Sequence, residues 1–129
     1  MMRLLSFIVF LTLSNAAMAE WVGMHSDDEF DVYVDTTTIR KNGNFAKMWT
    51  LNDYKTGRDT GSGIYLSRMV QAEYDCRNET KRLLALNTYS GNMGSGKVIS
   101  SYRVNEYELP ANSVAPRTID DAELKIACE

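Results

Sequence analysis

The first nineteen residues set the compartment in which the rest of the chain folds, and with it the means available to hold a small fold together. The chain opens Met1-Met2-Arg3, with one positive charge. An apolar run follows, Leu4-Leu5-Ser6-Phe7-Ile8-Val9-Phe10-Leu11-Thr12-Leu13, and the stretch closes on Ala16-Ala17-Met18-Ala19. Ala17-x-Ala19 is the small-x-small pattern whose side chains fit the pockets of signal peptidase. Charge, apolar core and cleavage site in that order predict a secretory signal peptide over residues 1–19. The run is roughly ten residues, about half of what a membrane-spanning helix takes, and no later segment is apolar enough to span. A lipoprotein would carry Cys directly after the cut. Glu20 stands there instead, so the mature chain, residues 20–129, is expected to carry no lipid anchor and to reside in the periplasm, at the cell surface or outside the cell.

Export gives the two cysteines a meaning. Cys76 and Cys128 both survive cleavage, and two thiols in an oxidising compartment are expected to pair. They lie too far apart for a redox Cys-x-x-Cys. With His25 the only histidine, two Cys and one His fall short of a structural zinc tetrad. A bridge closing so long a loop is worth on the order of 4 kcal/mol in the chain-entropy model. What remains after cleavage is the length of one domain with a modest core. The whole chain has a formal net charge of -3, and losing Arg3 makes the mature chain one unit more negative. That argues against nucleic acid, which needs a basic face.

The body reads as short strands punctuated by turns. Trp21–Met24 opens the first, and Ser26-Asp27-Asp28-Glu29 is a polar turn. Phe30–Asp35 alternates with Phe30, Val32 and Val34 on one face. Asp35-Thr36-Thr37-Thr38 reads as its end, with a helical turn around Ile39, since Asp and Thr cap well. Asn42-Gly43 is a turn signal ahead of a strand over Phe45–Tyr54. Lys55–Gly63 reads as a Gly-rich loop. Leu66–Cys76 puts Leu66, Val70, Ala72, Tyr74 and Cys76 in one phase. Arg77–Thr80 turns the chain, Leu83–Ser90 returns, Gly91–Gly96 is a flexible turn, and Lys97–Val104 is β-branched. Thr118-Ile119-Asp120-Asp121 resembles a capping box with Asp in place of Glu, and predicts a helix over Thr118–Ala127, with an earlier start near Ser113 as the alternative. Cys128 then lies at the helix end, where a bridge to Cys76 would staple the helix to the apolar sheet face. Strands followed by one helix predict an antiparallel α+β domain.

Several segments imitate catalytic or binding motifs. Gly91-x-x-x-x-Gly96-Lys97 nearly spells a phosphate-binding loop, but Val98 follows where Ser or Thr would hold magnesium, and a strand follows where a helix is needed. Asp59-Thr60-Gly61-Ser62 matches the short aspartic-protease signature without the buried strand before it, and reads as a solvent loop. Asp27-Asp28-Glu29-Asp31 lacks the spacing of a calcium loop. His25 has no nucleophile paired to it in sequence. No catalytic constellation, metal site or cofactor site emerges, and the chain is expected not to be an enzyme. Among the aromatics, Trp49 is in phase with Phe45 and Leu51 and is expected in the core. Tyr33, Met48, Thr50 and Tyr54 are out of phase with those sets. They are the candidate partner-binding face, half apolar and suited to a protein partner or to a second copy in a homodimer.

Tyr33-Val34-Asp35, Thr38-Ile39 with the Asn42-Gly43 turn, and Met48-Trp49-x-Leu51-x-Asp53-Tyr54-Lys55 together resemble the surface-adhesin E family of Gram-negative bacteria. Tyr65-Leu66-Ser67, Glu73-Tyr74-Asp75-Cys76, Tyr89-Ser90-Gly91-Asn92-Met93-Gly94, the Pro110/Ser113 pair and Cys128 extend the resemblance over nearly all the mature chain. Two departures stand out: a longer segment from Ser113 to Cys128, and Tyr107 where a Trp is common before the Pro. The resemblance implies an antiparallel sheet of about six strands with a C-terminal helix tied to it by a disulfide. It also implies an adhesin-like protein that binds host extracellular-matrix or serum proteins. The alternative is a soluble periplasmic accessory or small-ligand-binding protein with no host contact.

Overall fold

A computed structural model describes residues 19–105 and 109–129; the expected signal peptide up to Met18 and the Tyr107 departure lie outside the described residues. Alternating apolar residues between turn signals build strands β1 (Val22–Ser26), β2 (Phe30–Asn42), β3 (Phe45–Asp59), β4 (Ile64–Asp75), β5 (Thr80–Tyr89), β6 (Val98–Arg103) and the short β7 (Asn112–Ser113). One helix follows, α1 (Ile119–Ala127). Strands β1 to β6 form an antiparallel meander in which each pairs with the next in sequence, and β7 pairs with the start of β5. The turns that close the meander are short, and Gly43 between β2 and β3 takes φ +59°, where glycine is the least strained residue.

Register sets the two faces. Val34 lies opposite Thr50, Thr50 opposite Val70 and Val70 opposite Leu86. Ala46 and Met48 lie opposite Tyr74 and Ala72. These residues point to one side, where Leu124 and Ala127 of α1 pack on Val34, Ala46, Met48, Ala72 and Tyr74. The helix starts where its sequence says it should. The Thr118 side chain accepts from the Asp121 N–H at 3.1 Å, while Asp121 accepts from the Arg117 N–H rather than from that of the cap residue itself. Asp120 and Asp121 in the first turn and Lys125 in the last match the helix dipole. Cys128 caps the other end and is bonded to Cys76. The expected α+β fold, with the helix stapled to the apolar side of the sheet, is what the structure contains.

Three local expectations change. The helical turn at Ile39 is absent, because β2 runs on to Asn42 through a register shift between Asp35 and Arg40. Side chains take over the missing ladder bonds there. Asp35 accepts from the Thr37 N–H, and the Thr38 hydroxyl both donates to the Asp35 carbonyl and accepts from the Trp49 N–H. The loop expected from Lys55 is strand as far as Asp59, since a second shift lets Arg58 and Asp59 pair with Tyr65 and Ile64.

The third change concerns Gly91–Gly96, which is a cover rather than a free hairpin turn. A short 3-10 turn over Asn92–Gly94 folds onto the face opposite the helix. Asp53 accepts from the Asn92 side chain and from the Met93 N–H, both at 2.9 Å. The Ser67 hydroxyl donates to the Gly91 carbonyl and accepts from the Gly94 N–H. Gly94, at φ +71°, sits against Met69 and Leu51. This cover is why Leu51 is fully buried on a face with no helix.

Candidate functional site

The helix shields only part of its sheet face, and the rest is a cleft of about 420 Å³ between the sheet and the segment leading into α1. Val32, Thr50, Val70 and Leu86 form the floor, and Val114 and Ile119 form the wall. The Thr50 hydroxyl is turned into the sheet toward the Val70 carbonyl at 3.5 Å, so its methyl group is what remains for the floor.

At one end, Lys81 donates to Asp120 at 2.8 Å and to Glu123 at 2.9 Å. Glu123 is 3% exposed, and its carboxylate also accepts from the Tyr74 hydroxyl at 2.9 Å. A carboxylate this deep is tolerable because two donors satisfy it. Burial, and then the Glu123 charge, push the Tyr74 phenol well above its ordinary range. Burial alone would lower Lys81, but Glu123 and Asp120 outweigh it and hold the ammonium above its usual value.

The opposite end is aromatic and cationic. Phe30 and Tyr54 are cross-strand partners, their ring centroids 5.8 Å apart, and Tyr65 meets Tyr54 edge-on at 5.7 Å. Arg58 lies over the Tyr54 ring at 4.3 Å and Arg68 at 6.0 Å. With the Asn52 amide turned so that its oxygen faces the guanidinium, Arg68 Nε and Nη2 both donate to it at 3.1 Å.

The four residues of the candidate partner-binding face do not share a surface. Met48, Thr50 and Tyr54 are 0%, 3% and 5% exposed and lie on the helix side, Met48 beneath α1 itself. Tyr33 lies opposite Leu51 on the other side. The phase of β3 is the reverse of the expectation: Phe45 is exposed, Trp49 half-buried, and the helix packs on the alternate set. Both faces of β3 carry apolar residues, so alternation alone does not say which side the helix takes. The Arg68–Asn52 pair is not evident from either strand alone; its signal is a cation and an amide at apolar-phase positions of adjacent strands.

The motif look-alikes resolve by their hydrogen bonds. The N–H groups of Gly91, Met93, Gly94, Ser95 and Lys97 are all spent within the cover or on the sheet and do not face a phosphate. Asp59 accepts from the Gly61 N–H in an exposed turn. Asp27 accepts from the Glu29 and Phe30 N–H groups and pairs with His25 at 2.8 Å, organising the β1–β2 turn. Among the described residues no group of three or more His, Cys, Asp or Glu side chains could hold a metal.

A disulfide-clasped antiparallel meander with one helix and an open cleft defines a class of small α+β protein. Residues 21–129 match the family model described as surface-adhesin protein E, and the chain belongs to that family. Among solved structures it is similar to Haemophilus influenzae protein E in crystal form II. That match has a TM-score of 0.60 and 13% identity, and covers 87% of this chain and 96% of that one. It is also similar to protein E from non-typeable Haemophilus influenzae, with a TM-score of 0.55 and 12% identity over 86% of this chain and 85% of that one. At such identity the likeness concerns the fold. No curated protein matches the chain.

Proposed function

We propose that the mature chain is an exported, non-enzymatic, adhesin-like protein of the bacterial envelope that contacts host extracellular-matrix or serum proteins. The family match across residues 21–129 is the observation that carries this reading. The sheet supplies a suitable surface. Among the described residues β6 pairs only with β5, so its outer edge is open. Most natural edges are blunted by charge or proline. This one reads Val98-Ile99-Ser100-Ser101-Tyr102, with Val98 59% and Tyr102 51% exposed and no charge before Arg103. An extended segment of a partner protein can add to such an edge through main-chain hydrogen bonds.

The test is saturable binding of purified mature protein to immobilised laminin and vitronectin. Val98→Lys with Tyr102→Lys is expected to weaken it without unfolding the domain, as both side chains are exposed. No saturable binding to either matrix protein removes the adhesin role. Protease treatment of intact cells, which degrades a surface protein and spares a periplasmic one, checks the location. Sedimentation reads out the homodimer that the same edge could form with a second copy.

A further inference from the structure

The cleft beside the helix carries a charge pattern that the adhesin reading does not use. Two cations line it. Lys81 is neutralised by Asp120 and Glu123, whereas Arg68 has no carboxylate within ion-pair distance among the described residues. Its partners are the Asn52 amide and the Tyr54 ring. A half-buried guanidinium is normally matched by an anion. Asn52 occupies the Nε/Nη2 edge of Arg68 and orients the group, which leaves donors on the Nη1 side of a fork that suits a carboxylate. Away from Arg68 the floor is aliphatic: Val32, Val70, Leu86 and the methyl of Thr50. At the far end two carboxylates face one ammonium, so the residual charge is negative and a second anionic group is disfavoured there.

We propose that this cleft binds a small amphipathic monocarboxylate, its carboxylate on Arg68 and its aliphatic chain along Val32, Val70 and Leu86. The volume of about 420 Å³ lies within the range of small-molecule sites. Charge complementarity at one end and an aliphatic floor are both required, so neither half of the ligand alone should bind well.

Calorimetric titration of the mature protein with decanoate, 1-decanol and acetate, below the concentration at which decanoate forms micelles, tests the proposal. Decanoate is expected to bind saturably at one site, with decanol and acetate each at least about tenfold weaker, the loss of one charge-assisted contact. Arg68→Met should weaken decanoate about tenfold and leave decanol unchanged. Amide shifts on titrating the unmodified protein should centre on Arg68, Val70 and Leu86, a readout that stands even if the variant fails to fold. Equal binding of decanoate and decanol, equal binding by Arg68→Met, shifts centred elsewhere or no binding would each overturn the proposal. The β6 edge lies outside this test, so the adhesin reading and the cleft ligand can fail separately.

Discussion

The backbone nitrogen of Glu20 donates to the carboxylate of Asp35 at 3.2 Å. Asp35 is buried, and Glu20 is the residue that the proposed signal-peptide cleavage after Ala19 would make the new N-terminus. Cleavage would then replace an amide donor by an ammonium beside a sheltered carboxylate, a stronger contact by about 1–2 kcal/mol. Mature protein beginning at Glu20 is therefore expected to resist urea better than the same chain with one extra residue ahead. Asp35→Asn should erase the difference. Equal midpoints for the two N-termini would show that the contact contributes nothing.

The Tyr74–Glu123–Lys81 network gives stability an alkaline limit. Tyr74 and Lys81 both hold their protons more tightly in the folded chain, their values lying above 10.0 and 10.5 respectively. Their contribution is thus complete below about pH 10 and is lost as pH rises through the folded values. Tyr74→Phe should flatten that alkaline limb in urea midpoints taken across the range. Lys81→Met should cost about 2–3 kcal/mol near neutrality, because it leaves Glu123 buried with only the phenol. At the acid end the sign reverses. Asp27 is lowered to about 2 by its His25 hydrogen bond and two backbone N–H groups. Its contribution is present above 3.8 and lost as pH falls through about 2, so Asp27→Asn should blunt the acid limb.

Cys76 and Cys128 close a separation of 52 residues. Replacing both by Ala is expected to cost on the order of 4 kcal/mol. The helix should loosen first, because β4 keeps its ladder partners on both sides while α1 keeps only its apolar contacts and the side-chain bonds of Tyr74 and Lys81 to Glu123 and Asp120. Hydrogen exchange should show α1 amides losing protection before those of β3 and β4. Simultaneous loss across all elements would contradict this order.

Gly94→Ala tests the cover over the far face. A Cβ there meets Met69 Cε at 2.2 Å, and the backbone is at φ +71°. The methionine tip can move, so the strained backbone dominates, at about 1 kcal/mol. The expected readout is a lower thermal midpoint, with Trp49 fluorescence unchanged in the folded state.

Element type and order were legible because the signals are local. Alternation marks the strands, Thr118 and Asp121 mark the helix start, and the expected export makes a bridge between Cys76 and Cys128 the expectation. The fold around them follows from chain order and cysteine phase. What was not legible depends on groups distant in sequence. Leu51 is buried only because Gly91–Gly96 reaches back to Asp53 and Ser67, and no periodicity in β3 announces that. The same cover makes both faces of β3 apolar, which inverted the choice of face for Met48, Thr50 and Tyr54. Arg68 and Asn52 meet only once the β3–β4 register is set, so the charged end of the cleft was invisible in either strand alone.

The meander has a temporal consequence. On the proposed export, each strand from β2 to β6 would find its neighbour already delivered when it clears the export channel, so the sheet could assemble in the order of translocation. Helix α1 comes after every strand, and until it arrives Cys76 waits as an unpaired thiol on an uncovered apolar surface. With only two cysteines present, no wrong partner exists within the chain. The hazard of that interval is pairing with another molecule, and how fast the helix segment follows sets how long the hazard lasts.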